Sequence, residues 1–368
     1  MTPFSKKIGV LGAGQLGRMM AIAGYPLGHK FGFYGYSNDE PSALLGHMFA
    51  QSDETDSLEA LVEFADVITY ESENTDIEQV REIAKTTPVY PGEKSLYYSQ
   101  HRGREKGLFT DLDIPCAPYE VVDSLESLQQ AADRIGLPAV LKTTTEGYDG
   151  KGQFVIKRPD QIAQAWDEIG GRELVLEGFV NFKRELSIIA VRNAENEHVF
   201  YPLVQNVHSE GILRYTIAPA RDISEALQRQ AEAYMTKLLD ALGHIGVLTL
   251  ELFETEEGLV ANEMAPRVHN SGHWTIEGAY TDQFENHIRA ITGLPLGNTD
   301  PRQPLAAMIN IIGKTGPINK VLQHPKAFLH LYDKAERPGR KLGHINVIAD
   351  SEEELYESIQ QLKDFLAE

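Results

Sequence analysis

A chain of 368 residues with 42% hydrophobic and 24% charged content is long enough for two or three cored domains of an ordinary soluble type. Its 34 cationic and 54 acidic side chains give a formal charge of −20, which argues against a general nucleic-acid or anionic-membrane surface and requires any anionic substrate to meet a local Arg/Lys cluster. The single cysteine, Cys116, excludes an intrachain disulfide, no apolar run approaches the ~20 residues of a membrane span, and the N-terminus lacks a leader pattern, so a cytoplasmic protein is expected.

Residues 1–92 alternate strand and helix. The stretch KIGVLGAG reads as a strand and its turn, 15–28 as helix, 30–36 as strand, 57–65 as helix, 66–74 as a strand entering a loop and 76–87 as helix. This is a βαβ pattern on a parallel sheet. Gly12, Gly14 and Gly17 fill the G-x-G-x-x-G dinucleotide fingerprint, so a nicotinamide-dependent oxidoreductase is one reading. Against it, the second strand ends in Tyr36, Ser37 and Asn38, where an acidic ribose-binding residue is expected. Residues 93–109 read as one helix leading out of this unit, and Pro115 and Pro118 mark a boundary.

Strands dominate from 119 to about 208, with the glycine-rich loop EGYDGKG, 146–152, joining two of them. The stretch 222–242 is a helix by the spacing of Leu227, Ala231, Tyr234, Met235, Leu238 and Leu242, with Asp222 and Glu225 fitting its N-terminal cap and Gly243 its stop. A hairpin is predicted over 246–264, and a mixed tail ends in an acidic helix.

Three segments carry chemistry. In the hairpin, Glu251 and Glu263 share one face if the turn has three or five residues and lie on opposite faces if it has two. On one face they could take a hard cation such as Mg²⁺, whose other positions substrate phosphates fill. Asn262 would join them only through a bulge or at the strand's end. The polar run after them holds Arg267, suited to charge on a transferring phosphoryl group, with His269, Asn270 and His273. Zinc on the two histidines is disfavoured, because Pro266 and Gly272 argue against a helix presenting both. The second segment, 141–153, offers Lys142, Lys151 and a loop of Gly147, Gly150 and Gly152 that could approach phosphates without being a Walker A loop. The third, RPGRKLGHIN, crowds Arg337, Arg340, Lys341 and His344 into an anion site or a solvated basic turn.

Together GAGQLGRM, EGYDGKGQ, NEMAPRVHNSGHW and RPGRKLGHIN, in that order, resemble the ATP-grasp superfamily and, within it, the N5-carboxyaminoimidazole ribonucleotide synthetase family. The resemblance implies an α/β and α+β multidomain fold: an N-terminal Rossmann-like domain over 1–104, an ATP-grasp domain over 105–298 with its lid at about 119–180, and a C-terminal domain over 299–368. It implies ATP-dependent joining of bicarbonate to 5-aminoimidazole ribonucleotide through carboxyphosphate, with Mg²⁺ or Mn²⁺ on Glu251 and Glu263. Arg102, Lys142, the loop residues Gly147, Tyr148, Asp149, Gly150, Lys151, Gly152 and Gln153, and Asn262 with Glu263 would meet ATP. Glu177, Gly178, Phe179 and Val180 would line adenine through backbone groups, Glu185 would hold the ribose, and His208 would lie in the nucleotide pocket. Gln15, Leu16, Glu73, Tyr148, Asp149, His269, Asn270, His273, Arg340 and Lys341 would surround the aminoimidazole substrate. Asp149, Arg267 and Lys341 would carry the chemistry, Asp149 orienting or deprotonating the amine. Glu146, where many relatives carry glycine, is expected to stiffen the loop. A homodimer that binds neither nucleic acid nor membrane and passes its product to a separate mutase completes the expectation. Another ATP-grasp ligase, such as a formate-dependent glycinamide ribonucleotide transformylase, is the runner-up.

Overall fold

The computed structural model describes residues 4–51, 56–145 and 152–366, and the strands are counted over these. Four short parallel strands, β1 (Lys7–Leu11), β2 (Lys30–Gly35), β3 (His47–Ala50) and β4 (Val67–Tyr70), form a sheet of order β3-β2-β1-β4. Helices α1 (Gln15–Gly24), α2 (Ser57–Phe64) and α3 (Ile77–Ile83) connect and follow them. The strands are almost wholly apolar, Ile8, Val10, Phe31, Phe33 and Ile68 being buried, as a sheet covered on both faces requires.

The stretch expected as one helix over 93–109 is two, α4 (Glu93–Ser99) and α5 (Arg102–Asp111). His101 leaves helical geometry at φ −141° and caps α5 by accepting from the Arg104 N–H, so Arg102 becomes the first residue of a new helix. A small antiparallel sheet follows, ordered β5-β8-β6-β7, from β5 (Tyr119–Val122), β6 (Ala139–Thr143), β7 (Gln153–Ile156) and β8 (Leu174–Gly178). Its covering helices α6 (Leu125–Ile135) and α7 (Ile162–Ile169) bury Leu128, Ala131, Ile162 and Ala165 in that sheet's own core.

The largest sheet has nine antiparallel strands. They are β9 (Arg184–Arg192), β10 (His198–Phe200), β11 (Val204–Ser209), β12 (Ile212–Ala218), β13 (Gly246–Thr255), β14 (Gly258–Ala265), β15 (Leu305–Ile312), β16 (Ala327–Leu331) and β17 (Lys341–Ala349). The order is β14-β13-β9-β11-β12-β15-β17-β16, with β10 paired to β9. The helices of this part are α8 (Glu225–Leu242), α9 (Thr275–Gly278), α10 (Gln283–Thr292), α11 (Ile318–Gln323) and α12 (Glu352–Gln361). Helix α8 starts later than expected: Ser224, not Asp222, caps it by accepting from the Leu227 N–H at 3.1 Å, while Gly243 ends it in the left-handed region at φ 57°. On β9 and β13, alternation sends Leu186, Ile188, Ala190, Leu248, Leu250 and Leu252 toward α8. Glu185, Ser187, Thr249 and Glu251 are left on the other face.

Buried histidines pin the N-terminal sheet to the large one. His287 of α10 accepts from the Val247 N–H at 3.1 Å and pairs with Thr69 of β4 at 2.9 Å, while burial pushes its pKa down to about 3, so both bonds are made by a neutral ring.

Candidate active site

The hairpin turn has two residues, since Thr255 pairs with Gly258. A regular ladder from such a turn would put Glu251 and Glu263 on opposite faces. The ladder is not regular: Leu252 faces Ala261, yet Leu250 faces Met264, so Glu251 alone spans Asn262 and Glu263. This bulge reverses the alternation. Ala261 and Met264, three apart, both pack into the core beneath α8, and Glu263 turns to the face of Glu251. Burial, then the neighbouring Glu263, pushes the Glu251 carboxyl up. Burial works on Glu263 in the same sense, but the Arg102 guanidinium, donating at 2.9 Å, outweighs it and holds that carboxylate down. Two facing carboxylates that raise each other's cost of ionisation are a donor set fit for a hard cation.

A second carboxylate is saturated with cations. Glu177 of β8 takes Lys142 of β6 at 2.9 Å and Lys106 of α5 at 3.3 Å. Burial would raise its pKa, but Lys142 and then Lys106 hold it down to about 2. The break between α4 and α5 makes this convergence: Arg102 and Lys106 lie one helical turn apart, one against each carboxylate. Glu105 between them is pushed up to about 8 by burial and then by Glu263.

Beyond the hairpin, Arg267 donates through Nε to Glu73, which Arg267 holds down to about 2 against the effect of burial. His269 lies 3.4 Å from Glu251 through Nε2 and 2.8 Å from the Ser271 hydroxyl through Nδ1. Burial, then Arg267, pushes its pKa down to about 3, so it is a neutral ring at physiological pH. His208 bonds Glu185, and that bond outweighs the burial that would otherwise lower the imidazole's pKa.

The glycine turn at the start of the chain already contains an anion. The Gly14 and Gly17 N–H groups donate to the two oxygens of Glu71 at 2.6 and 2.8 Å. Gly12 sits at φ +116°, and a Cβ there or on Gly14 would stand 2.4 or 2.6 Å from Glu71 atoms. The fingerprint glycines therefore admit this carboxylate, which takes the place a dinucleotide pyrophosphate would need. Beside it Lys334 donates to Gln15, and burial, then Arg340, lowers the Lys334 pKa to about 8.

Three domain families match in order: ribonucleotide synthetase preATP-grasp domain over residues 5–100, ATP-grasp domain over 107–284 and phosphoribosylaminoimidazole carboxylase C-terminal domain over 306–358. The N5-carboxyaminoimidazole ribonucleotide synthase of Pseudomonas aeruginosa is 47% identical over 92% of this chain and 93% of its own length. The chain belongs to the N5-carboxyaminoimidazole ribonucleotide synthase family. The crystal structure of the Thermus thermophilus synthetase superposes with a TM-score of 0.93 at 47% identity, covering 98% of this chain and 99% of that one. The Aspergillus clavatus synthase in complex with ADP and 5-aminoimidazole ribonucleotide superposes at 0.90 with 32% identity, covering 98% of each chain. The oxidoreductase reading of the glycine turn is therefore set aside.

Against this family background the expected site residues divide. Arg102, Lys142, Glu177, Glu185, His208, Glu251, Asn262, Glu263, Arg267 and His269 come from six strands, α5 and the segment after β14 to one cluster. Gln15, Glu73, Arg340 and Lys341 gather near the glycine turn and the loop before β17. Asn270 exchanges side-chain hydrogen bonds with Asn310 at 2.7 and 3.0 Å. Two side chains depart from expectation. Leu16 packs into the core, leaving only its backbone at the helix start to face a ligand. His273 is 2% exposed, bonded to Gln283 and packed between Phe284 and His344, because the chain turns into the core after Ser271. The Gly178 and Phe179 N–H groups donate to the Pro118 and Pro138 carbonyls, so of these adenine-edge amides they are already engaged. Gln153 opens β7, and the carbonyl of Gly152 just before it accepts from the Thr143 N–H at 2.9 Å. Glu146, Gly147, Tyr148, Asp149, Gly150 and Lys151 lie outside the described residues.

Sequence reasoning missed Glu105, Lys106 and Lys334. The signals were present as a charged pair three and four residues beyond Arg102 and a lysine three before Arg337, but their partners lie far away in the chain.

Proposed function

We infer that this chain carboxylates 5-aminoimidazole ribonucleotide with bicarbonate at the expense of ATP, giving N5-carboxyaminoimidazole ribonucleotide, ADP and phosphate through carboxyphosphate. The observation that carries the reading is the bulge that sets Glu251 and Glu263 on one face beside Arg102 and Arg267. Glu251 and Glu263 would hold Mg²⁺, or Mn²⁺ in its place, which when bound neutralises charge across the ATP phosphates. Arg267, held in place by Glu73, offers a fixed guanidinium to charge on the transferring phosphoryl group. His269 is neutral, so it orients by hydrogen bonding without adding charge. Lys334, Arg340 and Lys341 supply the local cationic patch that an acidic protein needs for a ribonucleotide phosphate. Tyr148 and Asp149 would approach the amine from the loop after β6, and loop closure would keep water from the mixed anhydride. On the strength of the resemblance alone, we also propose a cytoplasmic homodimer whose product passes to a separate mutase; light scattering tests the dimer.

The deciding experiment supplies ATP, Mg²⁺ and 5-aminoimidazole ribonucleotide and measures ADP release with and without bicarbonate. Release that depends on both bicarbonate and the ribonucleotide supports the reading. Equal release with glycinamide ribonucleotide and formate would sink it in favour of the other ligase.

A further inference from the structure

A bulge at a sheet edge leaves backbone groups outside the ladder, and each needs another partner. In β14, the edge strand, neighbouring parts of one segment supply them. The Met264 N–H donates to Glu105 Oε1 at 2.6 Å, the Asn262 carbonyl accepts from Lys106 Nζ at 2.8 Å, and the Ala261 N–H donates to the Pro115 carbonyl at 2.7 Å. Glu105 and Lys106 are 2% and 1% exposed. Burying two such polar side chains is costly unless each is hydrogen-bonded, and here their partners include the two residues that flank Glu263. A regular register, one residue different, would return Glu263 to the α8 side and strand both side chains.

We propose that Glu105 and Lys106 are positioning residues that clamp the bulge and thereby aim Glu263 at the cation. The proposal rests on reading Glu251 and Glu263 as that cation's ligands. Lys106 also holds Glu177, so its removal would disturb two places at once. Glu105 is the cleaner probe. In Glu105→Gln a carbonyl oxygen can still accept from Met264; in Glu105→Leu the volume stays and the acceptor is gone.

Mn²⁺ is titrated into the full chain with ADP and followed by electron paramagnetic resonance. Glu105→Gln should bind like the unaltered protein, and Glu105→Leu should bind about tenfold or more weakly, as loss of a group that orients a metal ligand does. Amide exchange supplies a second readout: the Met264 N–H in the unaltered protein should be protected like its ladder neighbours and should exchange faster in Glu105→Leu. Unchanged Mn²⁺ affinity in a folded Glu105→Leu overturns the clamp. Rapid exchange of Met264 in the unaltered protein overturns it without any variant. Glu263→Gln separates the two claims. If it too keeps full Mn²⁺ affinity, the cation reading falls and takes the clamp with it; if it loses affinity while Glu105→Leu does not, the clamp alone falls.

Discussion

Two parts of this molecule present charge in opposite ways. At the glycine turn, a helix start that suits an anion is filled by the chain's own Glu71, with both oxygens on backbone N–H groups. At the hairpin, Glu251 and Glu263 face each other, and Arg102 donates to Glu263. The first arrangement is complete within the fold; the second gains from a cation. The fingerprint glycines are legible in any alignment of letters, but what they bind depends on a carboxylate more than fifty residues away.

The comparison can be broken most severely at the hairpin. Glu263→Gln should lower Mg²⁺-dependent ADP release by about 10³-fold, the scale of losing an electrostatic stabiliser of transferring charge. Near-normal turnover would remove the carboxylate pair from the chemistry. Lys106→Met comes next. It removes one of the two lysines paired with buried Glu177 and takes the Lys106 donor from the Asn262 carbonyl, a loss of about 3–5 kcal/mol in urea unfolding.

At the glycine turn the expected effects are smaller. Gly14→Ala places a Cβ 2.6 Å from a Glu71 oxygen and should cost about 1–3 kcal/mol through displacement of that carboxylate. Glu71→Ala should vacate the helix start, so that added sulfate raises the melting temperature of the variant and not of the unaltered protein. A sulfate response equal in both would mean Glu71 is not the occupant in solution.

The smallest effect is a pH dependence at Lys334, whose pKa in the fold is about 8 against 10.5 when unfolded. Between these values the folded chain has released a proton that the unfolded chain keeps, so this group makes stability rise with pH. In the proposed role, the same deprotonation, as pH rises through about 8, removes a cation from the patch that would face the substrate phosphate. The KM for 5-aminoimidazole ribonucleotide should therefore rise a few-fold above pH 8 while this group's contribution to stability does not fall; Lys334→Met should flatten that KM profile.

Much of the arrangement was legible from local pattern. The parallel unit, the strands on either side of the glycine-rich segment and the hairpin each follow from alternation or helical spacing, and the four motifs named the superfamily. The remainder was hidden for identifiable reasons. The bulge is a backbone event that no side-chain pattern announces, and with a two-residue turn the alternation alone gives the wrong face for Glu263. The split of α4 from α5 depends on His101 capping the second helix, a weaker signal than the continuous polar run around it. Glu105 meets Met264 across 159 residues and Lys334 meets Gln15 across 319, separations at which letters carry no spacing rule.

The pair Thr255–Gly258 closes the ladder, so the two-residue tip Glu256–Glu257 lies outside it. Both tip residues are exposed. An insertion at the tip that keeps the Thr255–Gly258 pair would leave the ladder below it, and the face of Glu263, as they are. The tip is a place where evolution can insert sequence, or an experimenter a spectroscopic reporter, a few residues from Glu251 and Glu263.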